Sequence, residues 1–107
     1  MIINVLGTKY KIKYQNDLEN SKLSDCNGLC EVYSKEIIID KENLIVNTRK
    51  HANLGEFNKK VIRHEIIHAF LYESGLSSYY KDETLTDGLA VLLPKMFKVM
   101  STLKVLE

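Results

Sequence analysis

The chain has 107 residues, of which 45% are hydrophobic, and its fifteen basic and fourteen acidic side chains leave a net charge of +1. That is one domain, residues 1–107, with enough apolar content to build its own core. The near-neutral balance argues against nucleic acid or an anionic membrane as partner, and no stretch approaches the roughly twenty apolar residues that span a bilayer. The opening MIINVLGTKYKIKY has no basic lead-in, no long apolar run and no small-residue cleavage site. The expected compartment is therefore the cytoplasm of the cell that makes the protein.

The first third reads as strands. IINVLG and KYKIKY alternate apolar and polar residues around Gly7-Thr8, the pattern of a hairpin. Residues 15–25 are polar and aperiodic, which predicts a loop. GLCEVYSKEIIID predicts two short strands, one ending at Val32 and Tyr33, a turn near Ser34-Lys35, and a second over Ile37 to Ile39. The apolar triplet suggests a strand covered on both faces. LIVNT, residues 44–48, fits either a further strand or the approach to a helix. Cys26 and Cys30 are the two cysteines. Their spacing suits neither a zinc knuckle nor a redox pair, so two free, partly buried thiols are expected, with a disulfide or second metal site as the alternatives.

The second half reads as helical. Asn53 with Glu56 three residues on resembles an N-cap and capping box, opening a helix from about Leu54 to Ser74. Gly75 stands where a left-handed cap would end it. Asp82 is the candidate N-cap of the next helix, with Glu83 in its first turn. Pro94 should end or kink that helix, and Lys95 to Leu106 form a third helical segment with Met96, Val99, Met100 and Leu103 at helical spacing. Strands followed by helices make an α+β domain: an N-terminal sheet of about three or four strands, then an active-site helix and one or two more.

The first helix contains His64-Glu65-Ile66-Ile67-His68. Ile62, Ile66, Ala69 and Phe70 form one apolar stripe, and Val61 and Leu71 lie on the histidine side, so the helix should be central and well covered. Histidines at i and i+4 stand one above the other on one helical face, where their ring nitrogens can converge on one ion. Glu65 projects about 100° round the axis, where its carboxylate can reach a water on that ion rather than the ion itself. The bland alternative is a pair of packed histidines and a solvated glutamate. The full five-residue pattern arises by chance in well under about one chain in a hundred of this length, and it falls inside a helix, as the chemistry requires.

A catalytic zinc site needs a third protein ligand and an open position. No histidine follows His68, so acidic residues are the candidates: Asp82, Glu83 and Asp87. Glu83 and Asp87 share a helical face, which suggests one as ligand and the other as the partner of a ligating histidine.

The pair HEIIH and Glu83-Thr84-Leu85-Thr86-Asp87 resembles the gluzincins, the thermolysin-like branch of the zincin metallopeptidases. The wider wording HEIIHAFLYESGL followed by an acidic helix and LLPK, from about Val61 to Lys95, also looks like small metallopeptidase-like proteins of phages and prophages, which would place the chain in a bacterial host's cytoplasm. The resemblance implies one zinc ion per chain, held by His64, His68 and Glu83, with Glu65 as general base and Asp87 behind a histidine. It implies hydrolysis of a peptide or protein substrate bound by strand addition, for which Ile37 to Ile39 is the candidate strand. The fourteen residues between His68 and Glu83 are few for a gluzincin, so the turn must be tight. The residue that stabilises the tetrahedral intermediate has no certain match; Tyr79 and Tyr80 are the better candidates, ahead of Tyr72 and His51. The rival expectation is a zinc-binding regulatory or interaction protein with little turnover, against which Glu65 counts, because a structural metal needs no base beside it.

Overall fold

At the N-terminus the alternating pattern folds as read: β1 (Ile2–Val5) pairs antiparallel with β2 (Thr8–Gln15), Val5 opposite Thr8. The two-residue loop has positive φ at both Leu6 (53°) and Gly7 (93°), the primed turn whose twist matches the strands. Gly7 N–H donates to Asn4 Oδ1 at 2.6 Å, which braces the turn. The computed structural model describes residues 1–41 and 54–107.

Residues 16–25 contain a short 3-10 turn, Ser21–Ser24, capped by the Asn20 side chain and anchored by the buried Leu23. Strand β3 (Gly28–Glu31) then pairs antiparallel with β4 (Glu36–Asp40), and β4 pairs parallel with β2. The sheet order is β1-β2-β4-β3. Two expectations change here. Val32 and Tyr33 lie in the turn rather than ending the strand; Val32 reads as apolar because it is buried, not because it is extended. Ile37 to Ile39 are all buried, as a doubly covered strand requires, but β4 is interior, and its edges are occupied by β2 and β3. It cannot accept an added strand. Among the described residues the outer strands are β1 and β3.

Helix α1 (Leu54–Glu73) lies on this sheet. Val61 and Ala69 join Val5, Tyr10, Ile12, Ile37 and Ile39 in the core, with Phe57, Ile62 and Ile66 packed against it. Phe70, expected in the buried stripe, is 38% exposed, because it stands half a turn round the axis from Val61. Gly75 follows the helix with φ 86°, as its cap position predicts. The far end of α1 is tied to the sheet by Glu73, which accepts from the Tyr10 hydroxyl at 3.2 Å and from Lys35 Nζ at 3.0 Å.

Helix α2 (Glu83–Thr102) packs against α1. Asp82 caps it, accepting from Leu85 N–H at 3.0 Å. Pro94 does not end the helix: among the described residues one helix runs from Glu83 through it to Thr102, so Lys95 onward is not a separate segment. The reason is on α1. Proline at 94 cannot donate to the carbonyl four residues back, Ala90. Arg63 Nε donates to that oxygen instead, at 2.8 Å. The sequence expectations for Leu44 to Thr48, His51 and the Asn53 cap lie outside the described residues. Among those residues no helix is long and apolar enough to cross a membrane.

Candidate metal centre

The tight turn between the helices decides the site. Tyr79 N–H donates to Leu76 O and Asp82 N–H to Tyr79 O, at 2.9 and 3.0 Å, which folds residues 76–82 back toward α1. The Asp82 cap then starts α2 with Glu83 as its first residue. The fourteen intervening residues are enough: Glu83 Oε2 lies 2.8 Å from His64 Nε2, and its Oε1 lies 3.1 Å from His68 Nε2.

The two rings meet as i,i+4 stacking demands, with centroids 4.7 Å apart and the Nε2 atoms 3.1 Å from each other. One donor atom from each of His64, His68 and Glu83 lies within 4.8 Å of the other two. The far sides of the rings are also held. His68 Nδ1 abuts the Tyr80 carbonyl oxygen, and His64 Nδ1 lies 3.5 Å from Asp87 Oδ1. Asp87 also faces Lys60 Nζ at 3.4 Å.

These contacts fix the chemistry of the cluster. A carbonyl oxygen only accepts, so His68 carries its proton on Nδ1. In the neutral ring Nε2 is then a lone pair, aimed at the His64 ring nitrogen and a carboxylate oxygen. His64 Nε2, 2.8 Å from Glu83 Oε2, either donates to that carboxylate or offers a second lone pair beside it, according to its tautomer. With the His64 proton on Nδ1, two nitrogens and one carboxylate oxygen converge as a donor set of the kind that divalent cations such as zinc accept. His64, His68 and Glu83 thus form a group that can hold a metal ion.

No family model, curated protein or solved structure matches the chain.

Glu65 is one residue round from the cluster and only 5% exposed, and its carboxylate lines a cavity of about 900 Å³ that also borders His64, His68 and Glu83. Burial, reinforced by the Glu83 charge, pushes its pKa up to about 8. A cation held by the neighbouring histidines would oppose that shift and favour the ionised form. Strand β3 forms the opposite wall, and Gly28 is what allows the approach. A Cβ there would stand 3.0 Å from Glu65 Cγ, 3.1 Å from Val61 Cγ1 and 3.2 Å from Glu65 Oε2. The dipeptide Asn27-Gly28 signals a strand start in the sequence; nothing in it announces a partner 37 residues away.

The two tyrosines separate. Tyr79 is 51% exposed and is not among the residues lining the cavity, whereas Tyr80 lines it with its ring edge-on to Tyr72 at 5.1 Å. Tyr80 reaches the cluster through its backbone carbonyl, a role no sequence pattern marks. Tyr33, in the turn after β3, also borders the cavity and was not singled out by the sequence. Cys26 and Cys30 are free, half-buried thiols on the β3 side. Desolvation raises both pKa values, that of Cys30 to about 12, so neither is a ready thiolate.

Proposed function

We propose that the chain is a zinc-dependent peptidase of minimal, gluzincin-like type. The observation that carries this is the convergence of the two Nε2 atoms and Glu83 on one point, with a buried carboxyl, Glu65, beside it on the wall of an open cavity. His64, His68 and Glu83 would hold one zinc ion. Zinc in such a site supplies a water of pKa near 7 and polarises the carbonyl under attack. The chain's own residues do the rest. Glu65 accepts the proton of the attacking water at its carboxylate and delivers it to the leaving amine. The Tyr80 carbonyl holds His68 in the tautomer that offers Nε2, and Asp87, on the outer side of the His64 ring, would favour the same tautomer there. Tyr80, on the cavity wall, is the nearer of the two candidates for steadying the tetrahedral oxyanion.

The substrate we assign is an extended peptide or protein segment. Strand β3 is an outer strand of the sheet and borders the cavity, so its backbone can pair with such a segment and lay it past Glu65. The rival is a zinc-binding regulatory protein without turnover. Glu65 weighs against it, because a carboxyl desolvated beside a purely structural ion costs stability and serves nothing.

The test pairs metal analysis with turnover. Purified protein is expected to carry one zinc per chain and to cleave members of a peptide and host-protein panel. Glu65→Gln should keep the zinc and lower the rate by at least about a hundredfold, the scale of a lost general base. A zinc-loaded protein that cleaves nothing would pass the site to the regulatory reading, and wild-type rates in Glu65→Gln would remove Glu65 from the base role.

A further inference from the structure

The cavity beside the metal cluster has two unlike ends. Strand β3 and α1 run the same way along it. Gly28 faces Val61 and Glu65, and the Tyr33 ring after β3 meets Tyr72 about two turns beyond Glu65, with centroids 6.2 Å apart. Tyr72 in turn meets Tyr80 edge-on at 5.1 Å, so Tyr33 and Tyr80 wall one end. Lys35, paired with Glu73, lies over the Tyr72 ring at 4.9 Å and backs that wall. Asp25 borders the other end, three residues before Gly28. Apart from the buried Glu65, most charged side chains on the lining are engaged: Glu31 with Lys22, Lys60 with Asp87, Glu83 with the histidines. Asp25 and Lys81 line the cavity without an ion pair among the described residues.

We propose that the Tyr33 end of the cavity is a subsite for a carboxylate carried by the bound segment, with Lys81 as the residue that selects it. This rests on the reading that the cavity takes an extended segment along β3. Lys81 Nζ lies 5.6 Å from the centre of the Tyr80 ring, a cation–π contact that places an otherwise free ammonium at this wall. Tyr33 is 86% exposed, and neither its hydroxyl nor that of Tyr80 has a hydrogen-bond partner among the described residues. Two further donors therefore stand on the same wall. An ammonium with phenol hydroxyls suits a carboxylate, and the rings cover the apolar stem that carries it. At the other end Asp25 repels the same group, so the two free charges set the direction and register of an acidic segment. An acidic side chain and a C-terminus both present this group.

Peptide binding to the full chain tests this, read by fluorescence anisotropy on Glu65→Gln with zinc present, a form that keeps the cavity and lacks the base. One glutamate is walked through a neutral peptide blocked at both ends, and a second set has a free C-terminus. Glutamate at one position is expected to tighten binding about three- to tenfold over glutamine at low salt, the range of a single exposed charge-assisted contact, and salt should remove most of the gain. A gain in blocked peptides assigns the subsite to a side chain; a gain only with free ends assigns it to a C-terminus. Lys81→Glu should turn the preference toward lysine, and if that variant fails to fold, Lys81→Gln should abolish it. Peptides that bind with no gain at any position, or a gain that survives Lys81→Gln, overturn the subsite and leave the peptidase reading to its own cleavage assay. A panel in which nothing binds overturns the subsite together with the strand pairing beneath it.

Discussion

At the scale of single residues, Glu83 and Asp87 are one helical turn apart and do different things. Glu83 puts both carboxylate oxygens near the two Nε2 atoms, whereas Asp87 lies 3.5 Å from the outer nitrogen of His64 and is shared with Lys60. Glu83→Ala removes a donor from the cluster and should cost most of the zinc affinity. Asp87→Asn keeps the donor set and should weaken binding by about 10- to 100-fold, as losses behind a ligand do. Zinc titrations of both variants check this, and the opposite order would make Asp87 the ligand. Gly28 supplies a second residue-scale prediction. A methyl group at that position would press on Glu65 and Val61 at 3.0–3.2 Å, and its three nearest neighbours include none of the proposed ligands. Gly28→Ala should therefore lower kcat by about tenfold or more while zinc affinity changes little, which a rate assay and a titration on one preparation can measure. These residues also show what a sequence carries at this scale. His64, Glu65 and His68 are legible because helical geometry alone brings them together. Glu83 is legible because few acidic candidates follow a short turn. The Tyr80 carbonyl and Gly28 are not, because a backbone oxygen and a missing side chain leave no chemical signature in the chain.

At the scale of elements, α2 shows how one contact overrides a local rule. Proline in a helix interior costs about 3 kcal/mol or more, which is why a break at Pro94 is the natural expectation. Arg63 supplies the Ala90 carbonyl with a donor from the neighbouring helix, and Ala90 itself is fully buried, so the oxygen would otherwise be stranded away from water. Arg63→Leu should destabilise the fold by about 1–3 kcal/mol. Pro94→Ala restores the backbone N–H and should make the fold less sensitive to the loss of Arg63. Urea titrations of the two single variants and the double variant close a cycle, and an additive result would mean that Arg63 does not act through Ala90. The C-terminal end of α1 and the cap of α2 were readable because Gly75 and Asp82 act within a turn of their own positions. The continuation through Pro94 was not, since its cause, Arg63, lies on another element, 27 residues before the Ala90 carbonyl it serves.

At the scale of the molecule, apolar patterning predicted about three or four strands but not their neighbours. Pairing β4 between β2 and β3 depends on contacts that no local pattern encodes, and the Ile37 to Ile39 triplet gave the nearest hint, by being apolar on both faces. The same topology sets what metal would do for stability. The sheet and α1 share one core, whereas α2 is joined to α1 through the small Thr86 and Ala90, the Arg63 contact and the cluster at Glu83. An ion held by His64 and His68 from α1 and Glu83 from α2 therefore binds the folded arrangement and has no equivalent site in the unfolded chain. With free zinc at about a thousand times its dissociation constant, the folded state gains about 4 kcal/mol. For a domain near 100 residues that raises the melting temperature by roughly 15–30 °C. Calorimetry of chelator-treated protein with and without zinc measures the shift, which should persist in Glu65→Gln and nearly vanish in Glu83→Ala. A metal-free protein that melts at the same temperature when zinc is restored would show that the ion contributes nothing to holding α2 in place, and the cluster would then be explained by a hydrogen bond from His64 Nε2–H to Glu83 instead.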